Sequence, residues 1–255
     1  MGYLFGPDSM MWRINRESVL LLGGRATLLM QLAHPLVAAG VADHSNFRTD
    51  PFGRLRRTLD TMLTIVFGTE EEARRVAEGV TRLHDGVVGT APDGRSYGAR
   101  DPRLLLWVHA TLVDGSLKVY EACVAPLTED ERAGYYDETK VVAELFEISE
   151  KHLPPTYRDL KDWMRQMIDS DEVVVSPLAR ELAEPIIRPI RVVPRRVAAS
   201  SALVTAALLP PPIRRGYGLR VSRSAWFLLA AGRRASRLVL PRLPAPVHTF
   251  PMARP

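Results

Sequence analysis

Hydrophobic positions along most of this chain recur every three or four residues, the period of an amphipathic helix. From Glu17 to Ala42 runs one long apolar pattern carrying Pro35, which predicts a helix kinked where the proline removes a backbone donor. "DPFGRLRRTLDTMLTIVFG" opens on Asp50-Pro51, a helix-start pair, and stops at Gly68. "TEEEARRVAEGVTRLHDGVVG" is the clearest element. Thr69 caps it, with Glu72 three residues on as a capping box. Val76, Val80, Leu83 and Val87 form its apolar stripe, and Gly89 closes it. "APDGRSYGARDP" is crowded with turn residues and reads as a loop. Asp101-Pro102 opens another long helix through "LLLWVHATLVDGSLKVYEAC", and Thr128 with Glu131 repeats the capping-box signature before the next. "PPTYRDLKDWMRQMIDSD" predicts a shorter amphipathic helix, and "DEVVVSP" a short strand with no second strand to make a sheet. Two further helices, in "RRVAASSALVTAALLP" and "SRSAWFLLAAGRRASRLVL", lie between proline breaks. The expected fold is all-α, with helices packed around a common core.

Charge divides this picture. Pro185 to Pro255 holds 13 Arg, no Lys, no acidic residue and 11 of the 20 prolines, whereas the first 184 residues hold 21 basic and 29 acidic residues. An acidic helical body, residues 1–184, is therefore expected to carry a basic, proline-punctuated helical segment, residues 185–255, that packs on it by charge complementarity. Peripheral contact with an anionic membrane surface is the second reading of that segment. Nucleic acid is disfavoured, because Trp226 and Phe227 are too few aromatics for a base-stacking platform. The lone Cys123 excludes an internal disulfide and any zinc site built from several cysteines. The N-terminus lacks the basic start and apolar core of a signal peptide, and no uninterrupted apolar run reaches membrane-span length, so the expected location is cytoplasmic.

Candidate chemistry lies in the histidines. There is no P-loop, no dinucleotide fingerprint, no G-x-S-x-G elbow, no H-E-x-x-H and no Glu-x-x-His pair. His34, His44, His84 and His109 instead sit in or beside apolar helical patterns. A lone histidine on an apolar face is usually a satisfied core residue, but four in one body weaken that reading, because each buried imidazole needs a partner. Helical packing with inward histidines and no cysteine cluster suits a single-histidine haem site. Arg54 and Thr58, four residues apart, share a helix face with Arg57 beside them. They form either a basic surface with acidic partners or a lining for an anionic cofactor, since guanidinium groups bind carboxylates such as haem propionates bidentately.

In order along the chain, "RATLLMQLAHPLVAAGVADHS", "DPFGRLRRTLDTMLTIVFG", "RLHDGVVG", "YGARDPRLLLWVHATLVDG" and "LTEDERAGYYDETKVVAELFEI" resemble the MpaB-like and rubber-oxygenase (latex clearing protein) catalytic domain family. "LPPTYRDLKDWMRQM" fits as well. The resemblance implies an all-α fold around one b-type haem held by a single proximal histidine, with dioxygen and an apolar, isoprenoid or lipid-like substrate. It implies His84 as the iron ligand and places Arg54 and Thr58 near the haem pocket. Rubber-cleaving members carry a lysine just before that threonine, where this chain has Arg57. They also use a glutamate base upstream, where this chain reads "HPLVAAGV" without a carboxylate. Asp43 and His44 are the nearest alternative acid–base groups. His34 and His44 are expected over the pocket as distal groups, and His109 is the competitor for the iron. The alternative to an oxygenase is a haem-binding sensor or carrier without turnover. A helical interaction protein with structural histidines is a third reading.

Overall fold

The computed structural model describes residues 2–45, 50–187 and 195–253, without the side chains of residues 51, 52, 54, 55 and 195–201. Arg54 is thus described only by its backbone. The chain is mostly helical. α1 (Met10–Asn15) is capped by the Ser9 hydroxyl, and its first N–H groups also meet a carboxylate from another helix: Met10 and Met11 donate to Glu138 at 3.1 and 2.6 Å. That places a negative charge on the positive end of the helix.

The Glu17–Ala42 pattern is not one kinked helix. After a 3₁₀ turn at Ser18–Leu22 it forms α2 (Gly24–Leu32) and α3 (Pro35–His44), which meet at 103°. The reason is local. A residue before proline is pushed out of the helical region, and His34 is extended, with ψ at 117°. Pro35 then takes the first position of a new helix, and His34 caps it by accepting from the Leu36 N–H at 3.3 Å. Among the described residues no single helix is long and apolar enough to cross a membrane. α2 and α3 reach that length and composition only as this bent pair.

α4 (Pro51–Phe67) and α5 (Glu70–Asp85) form a helical hairpin joined by Gly68 and Thr69. Thr69 and Glu72 make the full capping box. The buried line of α5 is Ala73, Ala77 and Thr81, with Val76 and Val80 half-buried beside it; Leu83, expected inside, faces solvent. α5 ends at Asp85 with Gly86 as its cap, not at Gly89 as expected; Val88–Thr90 is a strand, β1, which pairs with β2 (Ser96–Gly98) from the expected loop in antiparallel register with Gly89 opposite Tyr97. "DEVVVSP" forms no strand, because it finds no partner. Val173 and Val175 turn into the core while Val174 faces out, so the alternation serves packing alone.

α6 (Pro102–Cys123) is the axis of the core. Trp107 is buried and donates to the Met30 carbonyl at 3.2 Å. α2 lies close against it: a Cβ on Gly115 would stand 2.4 Å from the Thr27 hydroxyl. α7 (Glu129–Leu145), α8 (Tyr157–Asp169) and α9 (Pro177–Ile187) complete the body. α10 (Arg195–Leu208), α11 (Pro211–Gly216), α12 (Arg223–Val239) and α13 (Ala245–His248) pack onto it. Leu209, Ile213, Tyr217 and Ala253 enter the main core, and the Tyr217 hydroxyl donates to Leu29 O at 2.8 Å. The end of the chain is tied to its beginning. Phe250 N donates to Arg16 O at 2.8 Å, and His248 meets the buried Glu17 carboxylate at 2.9 Å.

Candidate functional site

The hairpin geometry decides which of the candidate residues meet. Arg54 lies fourteen residues before Gly68 and His84 fifteen after Thr69, so the two backbones stand at the same level where α4 and α5 run side by side. Thr58 is one turn further along α4 and is half-buried. His84, in the last turn of α5, is also half-buried. It continues the inward line of Ala73, Ala77 and Thr81 by the helical spacing of three to four residues. Arg57 goes elsewhere: it is exposed and pairs at 3.6 Å with Asp50, the residue capping its own helix.

β1 brings a second group to this end. His44, the last residue of α3, sets its Nε2 3.1 Å from the Val88 carbonyl, four residues past His84. Beside it the Tyr97 hydroxyl donates to Asp43 at 2.6 Å, and the two rings, His44 and Tyr97, meet edge to face at 6.2 Å. Burial, reinforced by the Asp43 carboxylate, pushes the Tyr97 phenol up to about 12, so it remains a donor at neutral pH. Gly89 is required here, since a Cβ would stand 2.5 Å from the Tyr97 hydroxyl oxygen. The rim is apolar: Leu83 is 72% and Val88 61% exposed. The Asp43–Tyr97 pair escaped sequence reasoning because Tyr97 sits in a turn-rich run, and only the strand register carries it to α3.

His34 and His109 lie apart from this cluster. His34 is at the opposite end of α3 from His44, roughly 15 Å away at the helical rise of ~1.5 Å per residue. It is buried against Trp107 with ring centroids 6.4 Å apart. Burial holds its imidazole down at about 4, with Glu172 acting weakly in the opposite sense. His109 is buried on α6, its imidazole likewise held at about 4 by burial. Its Nε2 has no hydrogen-bond partner among the described residues. Among those residues no three His, Cys, Asp or Glu side chains assemble as ligands for a metal ion.

Residues 11–238 match the family model described as "ER-bound oxygenase mpaB/B'/Rubber oxygenase, catalytic domain". Two curated relatives, uncharacterized protein Mb2261 of Mycobacterium bovis and uncharacterized protein Rv2237 of Mycobacterium tuberculosis, are each 29% identical to the chain over 152 residues. That stretch is 58% of this chain and 60% of each relative, so the chain spans less than two thirds of their length. No solved structure matches the chain.

Proposed function

The chain belongs to the mpaB/rubber oxygenase catalytic domain family, and from that premise we propose that it is a haem b-dependent oxygenase acting on an apolar, isoprenoid- or lipid-like substrate. The observation that carries the reading is the convergence at one end of the α4–α5 hairpin. His84 lies there four residues before the Val88 carbonyl that His44 reaches beside Asp43 and Tyr97, and Arg54 and Thr58 lie on the helix that packs against α5. The donor set suits a porphyrin. Such a group brings four nitrogens of its own and asks the protein for one imidazole, and this end of the molecule offers His84 without an assembly of further ligands.

When bound, haem supplies the iron chemistry of dioxygen activation. The chain's own residues then have separate tasks. His84 would hold the iron through a neutral imidazole, from the last turn of a helix whose start is closed by a capping box. By the family motif Arg54 would neutralise a propionate or an oxygen-derived anion, and Thr58, one turn further along α4, would offer a hydroxyl. His44 is the candidate proton carrier, with Tyr97 keeping Asp43 in place beside it. Leu83 and Val88 give an apolar substrate an approach surface that water does not favour.

The test is an absorption spectrum with pyridine haemochrome analysis of the purified chain, followed by oxygen uptake with an olefin. A b-type haem with olefin-dependent uptake supports the reading. Haem without uptake favours a sensor or carrier, and protein that takes up no haem on reconstitution overturns it. His84→Ala is expected to keep its helical circular dichroism and lose the haem. If His109→Ala loses it instead, the ligand lies on α6.

A further inference from the structure

α12 carries its apolar side chains on the wrong side for a helix that only packs on a protein. Its inward face consists of Ala225, Leu229 and Ser236, with Leu240 just past its end, all half-buried. It is fixed to α6 by polar bonds: Ser236 Oγ donates to Cys123 O at 2.8 Å, and Arg237 Nε to Glu121 O at 2.8 Å. No residue of α12 is buried. Phe227, Leu228, Ala231, Ala235, Leu238 and Val239 follow the helical repeat down the opposite face, and all are exposed. Phe227 is 77% and Leu228 67% exposed, which leaves four large apolar side chains in one outward stripe. A water-facing helix has no use for such a stripe.

The charges say what covers it. Arg223 and Arg234 border the stripe beside Phe227, and Arg233 is exposed on the flank beyond them. Trp226 stands on the same flank under the Arg214 guanidinium, 5.6 Å from ring centroid to Cζ. From Pro185 to the end the chain has 13 Arg and no acid. An apolar face bordered by arginines is the pattern of a helix lying in a membrane interface, where headgroups meet the cations and acyl chains meet the apolar residues. A second copy of this helix would supply the apolar face but would bring arginines against arginines. We propose that α12 docks the protein on an anionic lipid bilayer, its Phe227–Val239 stripe in the acyl boundary and its arginines on the phosphates. The proposal stands independently of the oxygenase reading.

The experiment is co-sedimentation of the full chain with vesicles of phosphatidylcholine alone or mixed with phosphatidylglycerol, read together with tryptophan emission. Binding to the anionic vesicles is expected, with a blue shift from a tryptophan introduced in the stripe as Phe227→Trp. It should fall at least about tenfold in high salt or in Arg223→Glu/Arg234→Glu. Phe227→Ser/Leu228→Ser should abolish it while leaving the unfolding temperature unchanged, because those side chains touch nothing the fold needs. Absence of binding to anionic vesicles, or equal binding to neutral ones, overturns the proposal. So does wild-type protein that ignores vesicles but dimerises through residues that the serine variant disrupts.

Discussion

His109 is buried with its Nε2 unpartnered among the described residues. A lost hydrogen bond of this kind costs about 1–3 kcal/mol. His109→Leu, similar in volume and without the polar atom, is therefore expected to hold or raise the unfolding temperature by ~2–4 °C. It should also leave any haem spectrum intact, so a variant that loses the cofactor would make His109 the ligand. His34 and His109 also give the fold a pH dependence. Both are held at about 4 by burial, against an ordinary value of about 6.5. The unfolded chain thus takes up these protons first as pH falls. Their contribution to stability is complete above about 6.5 and is lost as pH drops through about 4. Thermal unfolding of the apoprotein should be flat from pH 8 to 7 and decline steadily between those limits, with a shallower decline in His109→Leu. A midpoint that does not move over that range would show that both imidazoles are solvated.

At the scale of elements, the helix ends follow from their own residues while the contacts between elements do not. Thr69 with Glu72 and Thr128 with Glu131 close capping boxes as their spacing predicts, and Thr156 with Asp159 adds a third in which aspartate takes the place of glutamate. The β1–β2 pair depends on a contact instead. Gly89 faces Tyr97 across the register, and its missing Cβ is what lets the phenol reach Asp43. Gly89→Ala forces the ring aside and is expected to cost about 1–3 kcal/mol, measurable as a lowered midpoint in denaturant. Tyr97→Phe removes only the charged hydrogen bond and should cost less, roughly 1.5 kcal/mol. If Gly89→Ala is as stable as the parent, the packing of β1 on α3 is looser than the structure has it.

Across the whole molecule, the basic segment is part of the core. Leu209, Ile213 and Tyr217 are buried with body residues, Tyr217 bonds the α2 backbone, and the final turns pair with Glu17 and Arg16. A chain ending at Glu184 would expose those partners and remove the Tyr217 hydroxyl from the Leu29 carbonyl. It is expected to be insoluble, or to lose the cooperative unfolding of the full chain in a calorimetric scan. A soluble, cooperatively unfolding truncation would show that the segment merely rests on the body. The attachment described is apolar packing with a few hydrogen bonds, such as Arg237 to the Glu121 carbonyl, and α12 keeps its apolar stripe exposed.

The sequence by itself determined the helical class, most helix ends and the family, because periodicity, caps and prolines act within a few residues and the motifs run in order. It also marked His84, Arg54 and Thr58 as belonging to one pair of helices. Three things were decided only by tertiary structure. The break at Pro35 is local, but the 103° at which α2 and α3 meet, with His34 capping α3 against Trp107, is set by packing. Leu83 faces water and His84 faces in, because the small Ala73, Ala77 and Thr81 allow α5 to seat on that line rather than on its valine and leucine stripe. The outward face of α12 emerges only once Ser236 and Arg237 bind the end of α6, since a hydrophobic stripe reads the same in sequence whether a core or a bilayer receives it. Side-chain spacing fixes which residues share a face; what that face meets depends on contacts between residues more than a hundred positions apart.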